Sequence, residues 1–426
     1  MKLGAFEKAL KVPLFTELYG YGPFKGRRNQ GIHDPLFCRA LSFNDGNRRQ
    51  MIIGTDAVVS DDFESRVLRA RISDELKILP QAIMFTATHT HSGPSMSFGI
   101  GWGERDENYL AIWRETVMEV ARTAITNEEE VTAYPGKAVL PCKVGYNRAN
   151  PETDVTDPEI RFVKFVRKDG SVKVLLHNHA MHGVVYGPKQ MRVSADWMGE
   201  ANRRIKAEKL ADMPFFMLGC AGDINVIWKG YTDPAVRDQL LAKIGDVYIG
   251  ALKEALPTAV TPMDLEPFGA ELKTFEMPTE PITAEKLRAD AKIIESIENM
   301  GFLHDRMLEM AMLIDRGDDL RVLKDLQTLK MGGLQVYAFP GEPFVKLGMD
   351  LMSRSKAQFP IPASVANGNG RYFPDKETFA KNPGIVVKEH WGEYGFYEVN
   401  GGVGRYMPRY KSDISDFIVD KLLGLL

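Results

Sequence analysis

Apolar positions along the chain fall into short unbroken runs and into stripes with a period of about 3.6 residues, a succession that predicts strands alternating with helices. Runs at 38–43 and 50–59 read as strands joined across Asn44-Asp45-Gly46-Asn47, a turn composition. Asp61-Asp62 opens a helix that places Leu68, Ile72, Leu76 and Leu79 on one stripe. The run 81–87 reads as a buried strand, and 106–125 as a helix whose core face is Tyr109, Trp113, Val117, Val120 and Ala124.

Strand patterns recur at 130–134, 161–167, 171–177 and 215–220, and Asp233-Pro234 introduces a further helix, aspartate as cap and proline in the first turn. A charged helical pair lies between Pro281 and Arg316, broken at Asn299-Met300-Gly301. Strand character resumes at 322–329 and 334–339, followed by a helix at 344–352. There are no solenoid-period repeats and no low-complexity linker. The expectation is an α+β (mixed α/β) fold: one large domain over 1–426, central mixed β-sheets flanked by helices, and a helical insertion at about 283–316.

Composition narrows the function classes. A hydrophobic fraction of 44% and a charged fraction of 26% are ordinary for a soluble protein, and a formal net charge of -3 gives no case for nucleic acid. The short basic group Lys25, Arg27 and Arg28 reads as a solvated loop. Neither a secretory signal nor a membrane span is recognisable, so the expected location is cytoplasmic. Cys38, Cys142 and Cys220 are odd in number and widely spaced, which predicts buried free thiols rather than disulfides or a cysteine zinc site. The glycine-rich stretches 366–370 and 400–404 lack the Lys-Ser/Thr ending of a Walker motif and read as loops.

Candidate chemistry gathers at strand ends. Two of only eight histidines stand in Thr88-His89-Thr90-His91-Ser92-Gly93-Pro94, directly after the apolar run 81–87. If the strand continues, both face one ligand; if the chain turns, only one need do so. His177, His179 and His182 crowd another strand end, with alternation placing the first two on one face. Asp196 stands before helix-like sequence and can orient a histidine or cap the helix, and Glu342 occupies a strand-to-helix turn where it faces either helix amides or a metal.

Taken in order, Gly31-Ile32-His33-Asp34 with Arg39-Ala40, Thr88 to Pro94, Gly145-Tyr146-Asn147-Arg148, Ala180-Met181-His182, Ser194-Ala195-Asp196, Gly222-Asp223, Pro340-Gly341-Glu342 and Tyr397-Glu398 resemble the catalytic domain of the neutral, non-lysosomal ceramidase family. That family consists of zinc amidases that cleave the N-acyl bond of ceramide. The resemblance implies zinc ligands at His89, His182, Glu342 and Tyr397, with His91 as a hydrogen-bonding partner of substrate or transition state. Asn225 falls where the family's Gly-Asp-x-Ser-Pro-Asn motif has its serine, and an amide cannot replace a nucleophilic hydroxyl.

The expected activity is therefore zinc-dependent hydrolysis of an amide or related acyl bond by metal-activated water, on a small-molecule or lipid-like acyl substrate. His91 would stabilise oxyanion charge or move a proton, Asn225 would orient water or substrate, and Asp196 and Asp223 would be acids supporting the site. Two alternatives stand beside it: a ceramidase acting on an N-acyl sphingoid lipid, and a non-catalytic metal- or ligand-binding protein.

Overall fold

The computed structural model describes residues 1–21, 26–97, 103–227, 233–295, 301–382, 396–399 and 408–426. It is a mixed α/β fold built on three larger sheets. The first contains β1 (Lys2–Ala9), β2 (Phe37–Asn44), β3 (Arg49–Thr55), β4 (Ile83–Ala87) and β5 (Glu129–Glu130), in the order β4-β3-β2-β1-β5. The second contains β6 (Thr132–Val139), β8 (Glu159–Val166), β9 (Val172–His179) and β10 (Met213–Leu218), in the order β10-β9-β8-β6. The third orders β12 (Phe268–Glu276), β13 (Leu323–Met331), β14 (Leu334–Ala338) and β16 (Phe359–Ala363) as β12-β13-β14-β16. Two short ribbons complete the strands: β7 (Gly145–Asn147) with β11 (Ile224–Val226), and β15 (Glu342–Pro343) with β17 (Tyr372–Phe373).

Both parallel and antiparallel pairs occur within each large sheet: β3/β4, β9/β10 and β14/β16 run parallel, and the remaining pairs antiparallel. Leu41, Ile52 and Met84 from the first sheet, Val163, Leu176 and Phe215 from the second, and Leu329, Val336 and Ile361 from the third share one apolar core. Burial of these strands on both faces explains why they read as continuous apolar runs rather than alternating ones. Helices cover the outer faces. α1 (Asp62–Leu76) and α2 (Glu107–Thr126) pack on the first sheet, α3 (Asp196–Ala207) and α4 (Pro234–Ala255) on the second, and α7 (Val345–Arg354) with α10 (Ile414–Leu423) on the third. The hairpin of α5 (Ala284–Glu295) and α6 (Gly301–Arg316) has its own small core of Leu287, Ala291, Ile294, Met307 and Met310. Two short helices, α8 (Lys376–Lys381) and α9 (Phe396–Val399), precede α10.

Several boundaries differ from the sequence reading. α1 stops at Leu76 because Lys77 turns left-handed (φ 56°) and closes the helix on Ser73, so Leu79 is exposed rather than on the core stripe. The strand expected at 50–59 ends at Thr55, and Pro80–Ala82 forms a 3-10 turn ahead of β4. Arg27 is not solvated. It is 2% exposed, donating to the carbonyls of Tyr19, His91, Pro188 and Gln190, while Arg28 remains outside against Glu17; Lys25 lies outside the described residues, as do residues 400–404. Cys38 and Cys220 are buried free thiols, but Cys142 is exposed. No helix among the described residues is long and apolar enough to cross a membrane.

Candidate metal centre

At the end of β4 the chain turns immediately. Thr88 N donates to Thr55 O and His89 N to Ala57 O, with His89 left-handed at φ 67°. A non-glycine residue there is strained, and such strain persists only where the surroundings impose it. The strand therefore does not continue through His89 and His91, and period-two alternation is not what joins their rings. The left-handed turn does so, held by Thr90 Oγ1 on Ser194 O (2.6 Å) and His91 N on Gly183 O (3.1 Å). The ring centroids lie 4.8 Å apart.

His182 arrives from beyond β9, its backbone N donating to Ile224 O (3.0 Å) and its carbonyl accepting from Trp197 Nε1 (3.0 Å). Glu342 comes from β15, in register with Tyr372 of β17, and its backbone N donates to Arg371 O (2.8 Å). Gly222 allows this ribbon to approach the His182 loop: a Cβ there would lie 2.4 Å from Glu342 O.

The side chains converge. Nε2 of His89 and Nε2 of His182 each lie 3.2 Å from Glu342 Oε2, and His91 Nε2 lies 3.3 Å from His89 Nε2. The ligating atoms of the three histidines are all within 4.8 Å of one another, and all three residues are buried. Two tautomers are fixed from behind: His89 Nδ1 donates to Val58 O (2.5 Å) and His182 Nδ1 to Ala221 O (2.6 Å). Backbone acceptors of this kind leave each Nε2 as a lone pair aimed inward. Burial, with the Arg148 charge adding to it, lowers the His182 pKa to about 4, so its imidazole is neutral at pH 7. His89 Nε2 and His182 Nε2 thus face one carboxylate oxygen, a donor set that fits a divalent cation accepting nitrogen and oxygen ligands.

His91 is built differently. Its Nδ1 is buried and without a hydrogen-bond partner among the described residues. Tyr21 packs edge-on to its ring at 5.0 Å, and burial followed by the two neighbouring imidazoles holds its pKa well below the ordinary value. Tyr397, on α9, sets its ring 5.6 Å from that of Tyr372, the register partner of Glu342. Burial, then Tyr372 and Glu342, push its hydroxyl well above the ordinary phenol pKa.

The other expected residues are placed less directly. Asn225 Oδ1 accepts from Arg148 Nη1 (3.2 Å), and the same guanidinium donates to Gly222 O (2.9 Å) and Tyr372 Oη (3.1 Å) and pairs with Glu398 (3.0 Å). Arg148 is therefore the link between Asn225, the Glu342 ribbon and the helix carrying Tyr397. The sequence reading included it in a motif but gave it no role. Asp223 accepts from Asn147 Nδ2 (2.6 Å) and Val345 N (2.7 Å), and Asp196 from the backbone N of Val185 (3.3 Å), Tyr186 (3.2 Å) and Trp197 (2.8 Å). Both acids pin backbone around the site and neither bonds a ligating side chain. His177 and His179 also stay apart: His177 bonds Tyr248 and Asn202, and His179 bonds Glu159 O.

Comparison with solved structures places this architecture. Neutral ceramidase from Pseudomonas aeruginosa superposes with a TM-score of 0.78 at 16% identity, over 100% of this chain and 73% of that one. A ceramidase complexed with C2 superposes with a TM-score of 0.78 at 14% identity, over 100% of this chain and 74% of that one. The chain has a ceramidase-like fold. No protein-family model matches the sequence. Three of the left-handed non-glycine residues sit close to the centre: besides His89, Arg371 (φ 72°) supplies the carbonyl that accepts from Glu342 N, and Val365 (φ 45°) donates its N to Gly341 O.

Proposed function

We propose that the chain is a zinc-dependent hydrolase of an amide or related acyl bond, with His89, His182, Glu342 and Tyr397 as the metal ligands. The observation that carries this reading is the shared 3.2 Å approach of His89 Nε2 and His182 Nε2 to Glu342 Oε2, with both Nδ1 atoms committed to backbone carbonyls. A bound zinc ion would polarise an acyl carbonyl and lower the pKa of water.

The protein's own groups supply the rest. His91 lacks the backbone partner that fixes the other two rings, so it is the imidazole free to exchange a proton at Nδ1 or to hydrogen-bond a developing oxyanion. Arg148 keeps a fixed positive charge beside Asn225 and orients the Asn225 amide toward substrate or water. Asp196 and Asp223 hold the loops on which these groups stand. The whole described chain serves this one centre, with the α5/α6 hairpin as an insertion.

Both solved neighbours are ceramidases, which favours an N-acyl sphingoid lipid as a second reading of the substrate. The amide at position 225, in place of a hydroxyl, favours broader acyl substrates instead. The deciding experiment is turnover by zinc-loaded protein across N-acyl amides, short esters, lactams and long-chain ceramide, with His89→Ala as the control. Metal-dependent cleavage lost in His89→Ala supports the proposal. Zinc binding without turnover of any of them leaves a metal-binding protein and overturns it.

A further inference from the structure

The loop carrying Gly31-Ile32-His33-Asp34 lies outside the histidine centre and is tied to it by two chains of contacts. Asp34, 5% exposed, accepts from Ala195 N (2.8 Å) and from Ser194 Oγ. Ser194 in turn accepts at its carbonyl from Thr90 Oγ1 (2.6 Å) and donates its N to Ser92 O (3.0 Å), which holds the turn between His89 and His91. On the other side, the Tyr186 hydroxyl lies 3.0 Å from His33 Nε2. The backbone carbonyl of Tyr186 accepts from the Tyr21 hydroxyl, and the Tyr21 ring packs edge-on to His91 at 5.0 Å.

His33 joins the two chains. Its Nδ1 lies 2.8 Å from Asp34 Oδ2, and its Nε2 lies 3.1 Å from Oδ1 of Asp238 on α4. A ring with a carboxylate oxygen at each nitrogen matches the imidazolium, in which both nitrogens are donors. The Tyr186 hydroxyl donates to the same Asp238 oxygen (2.7 Å). The groups that face His33 are Asp34 on its own loop, Asp238 from α4, and Tyr186 and Arg192 from the segment between β9 and α3. The Asp34 hydrogen bond, with the charges of Asp34 and Asp238 beside it, raises the His33 pKa above the ordinary 6.5, against burial and the Arg192 charge.

Exposure decides which proton leaves. Asp34 is buried, whereas the Asp238 side chain is 53% exposed and screened by water, so Nδ1 keeps its hydrogen and Nε2 loses it. A neutral Nε2 presents a lone pair to Asp238 and to the Tyr186 oxygen, and the Tyr186 hydroxyl then has two acceptors for one hydrogen. The rearrangement falls on Tyr186 and, through Tyr21, on the ring of His91, whose Nδ1 has no hydrogen-bond partner among the described residues to hold it.

We infer that His33 is a positioning residue for His91: as an imidazolium it fixes the His91 ring through Tyr186 and Tyr21, and on losing the Nε2 proton it releases that ring. The inference rests on the proposed role of His91 only for its effect on turnover.

The test is NMR of the full chain, labelled at its histidine rings and titrated across pH without added metal. His33 is expected to titrate with a midpoint above 6.5, and the His91 ring resonances to step at the same midpoint, although His91 itself stays neutral there. In His33→Gln the His91 step should vanish. In Asp238→Asn, a change at an exposed helix position, the His33 midpoint and the His91 step should move down together, so the outcome does not depend on one variant folding. A His33 midpoint at or below 6.5, a His91 step that persists in His33→Gln, or one that stays in place when the His33 midpoint moves overturns the inference. With turnover in hand, kcat/KM of wild type should exceed that of His33→Gln at least fivefold below the His33 midpoint and match it above. A ratio that does not change with pH makes His33 a scaffold and also overturns the inference. Absence of turnover counts against the hydrolase reading alone, and the NMR titration then decides the role of His33.

Discussion

Gly20 stands so close to His91 that a Cβ added to it would lie 2.7 Å from Cγ of the imidazole. Its backbone is also left-handed, at φ 114°. The ring of His91 therefore owes its position to a residue far away in sequence that has no side chain. Gly20→Ala should displace that ring while leaving His89, His182 and Glu342 in place, at a stability cost of about 1–3 kcal/mol. Zinc stoichiometry is expected to stay at the wild-type level while kcat falls at least tenfold. A variant that loses metal and activity together would show that His91 is a ligand instead of a proton-handling group.

The crowding of acceptors at Glu342 gives a prediction with opposite signs in the two metal states. Without metal, Glu342→Gln supplies an NH₂ that donates to a histidine lone pair, so the variant should melt no lower than wild type. With zinc, wild type gains stability by mass action, about 2.7 kcal/mol at a hundredfold excess over Kd, and the variant gains far less. Differential scanning fluorimetry with and without zinc reads both arms. A lower melting temperature for the metal-free variant would mean that a proton already bridges the pair.

Arg148 joins four groups around the centre. Arg148→Met removes all of these bonds and leaves Glu398 buried without its partner, which should cost about 3–5 kcal/mol. Arg148→Lys keeps the charge but cannot reach several acceptors at once. The lysine variant is expected to fold and bind zinc with at least a tenfold loss of kcat/KM. Wild-type kinetics in that variant would reduce Arg148 to a scaffold.

Much of this arrangement was legible in the sequence, and the rest was hidden for identifiable reasons. The strands β2, β3, β4 and β10 are apolar runs because both their faces are covered, and the helices α1 and α2 announce themselves by acidic caps and periodic stripes. β16 was invisible because Phe359-Pro360-Ile361-Pro362-Ala363 contains two prolines, which only an edge strand tolerates, and β16 is an edge. β1 and β12 mix exposed and buried positions too irregularly to show a period. At the site, His89 and His91 stood out as a pair, but their division into a ring fixed from behind and one left free depends on Val58 O, which no spacing reveals. Arg27 was misread because its burial depends on four carbonyls from three separate stretches of chain.

Asn225→Ser tests the position at which this chain lacks the serine of the motif it resembles. Serine is smaller and polar, and a hydroxyl still accepts from Arg148, so the fold should survive with a change within about 1 kcal/mol. If a hydroxyl at this place suits N-acyl lipid, the ratio of ceramide to short-amide turnover should rise at least tenfold. An unchanged ratio would remove position 225 from substrate choice.

The two buried acids predict how stability depends on pH. Burial raises both Asp196 and Asp223 from 3.8 to about 7. Between these limits the folded state binds more protons than the unfolded state, so stability falls as pH rises, by about 1.4 kcal/mol per unit for each group. The penalty is absent below about pH 4 and complete above about pH 7. In Asp223→Asn the titration is removed, although the amide NH₂ then faces the donor of Asn147 or Val345 and lowers stability at every pH. The wild type should therefore exceed Asp223→Asn most at pH 4, and that advantage should shrink steadily toward pH 7. Melting temperatures of both proteins across that range decide the matter: an advantage that grows with pH would mean that the bonds from Asn147 and Val345 outweigh burial and keep the Asp223 carboxylate ionised in the folded protein.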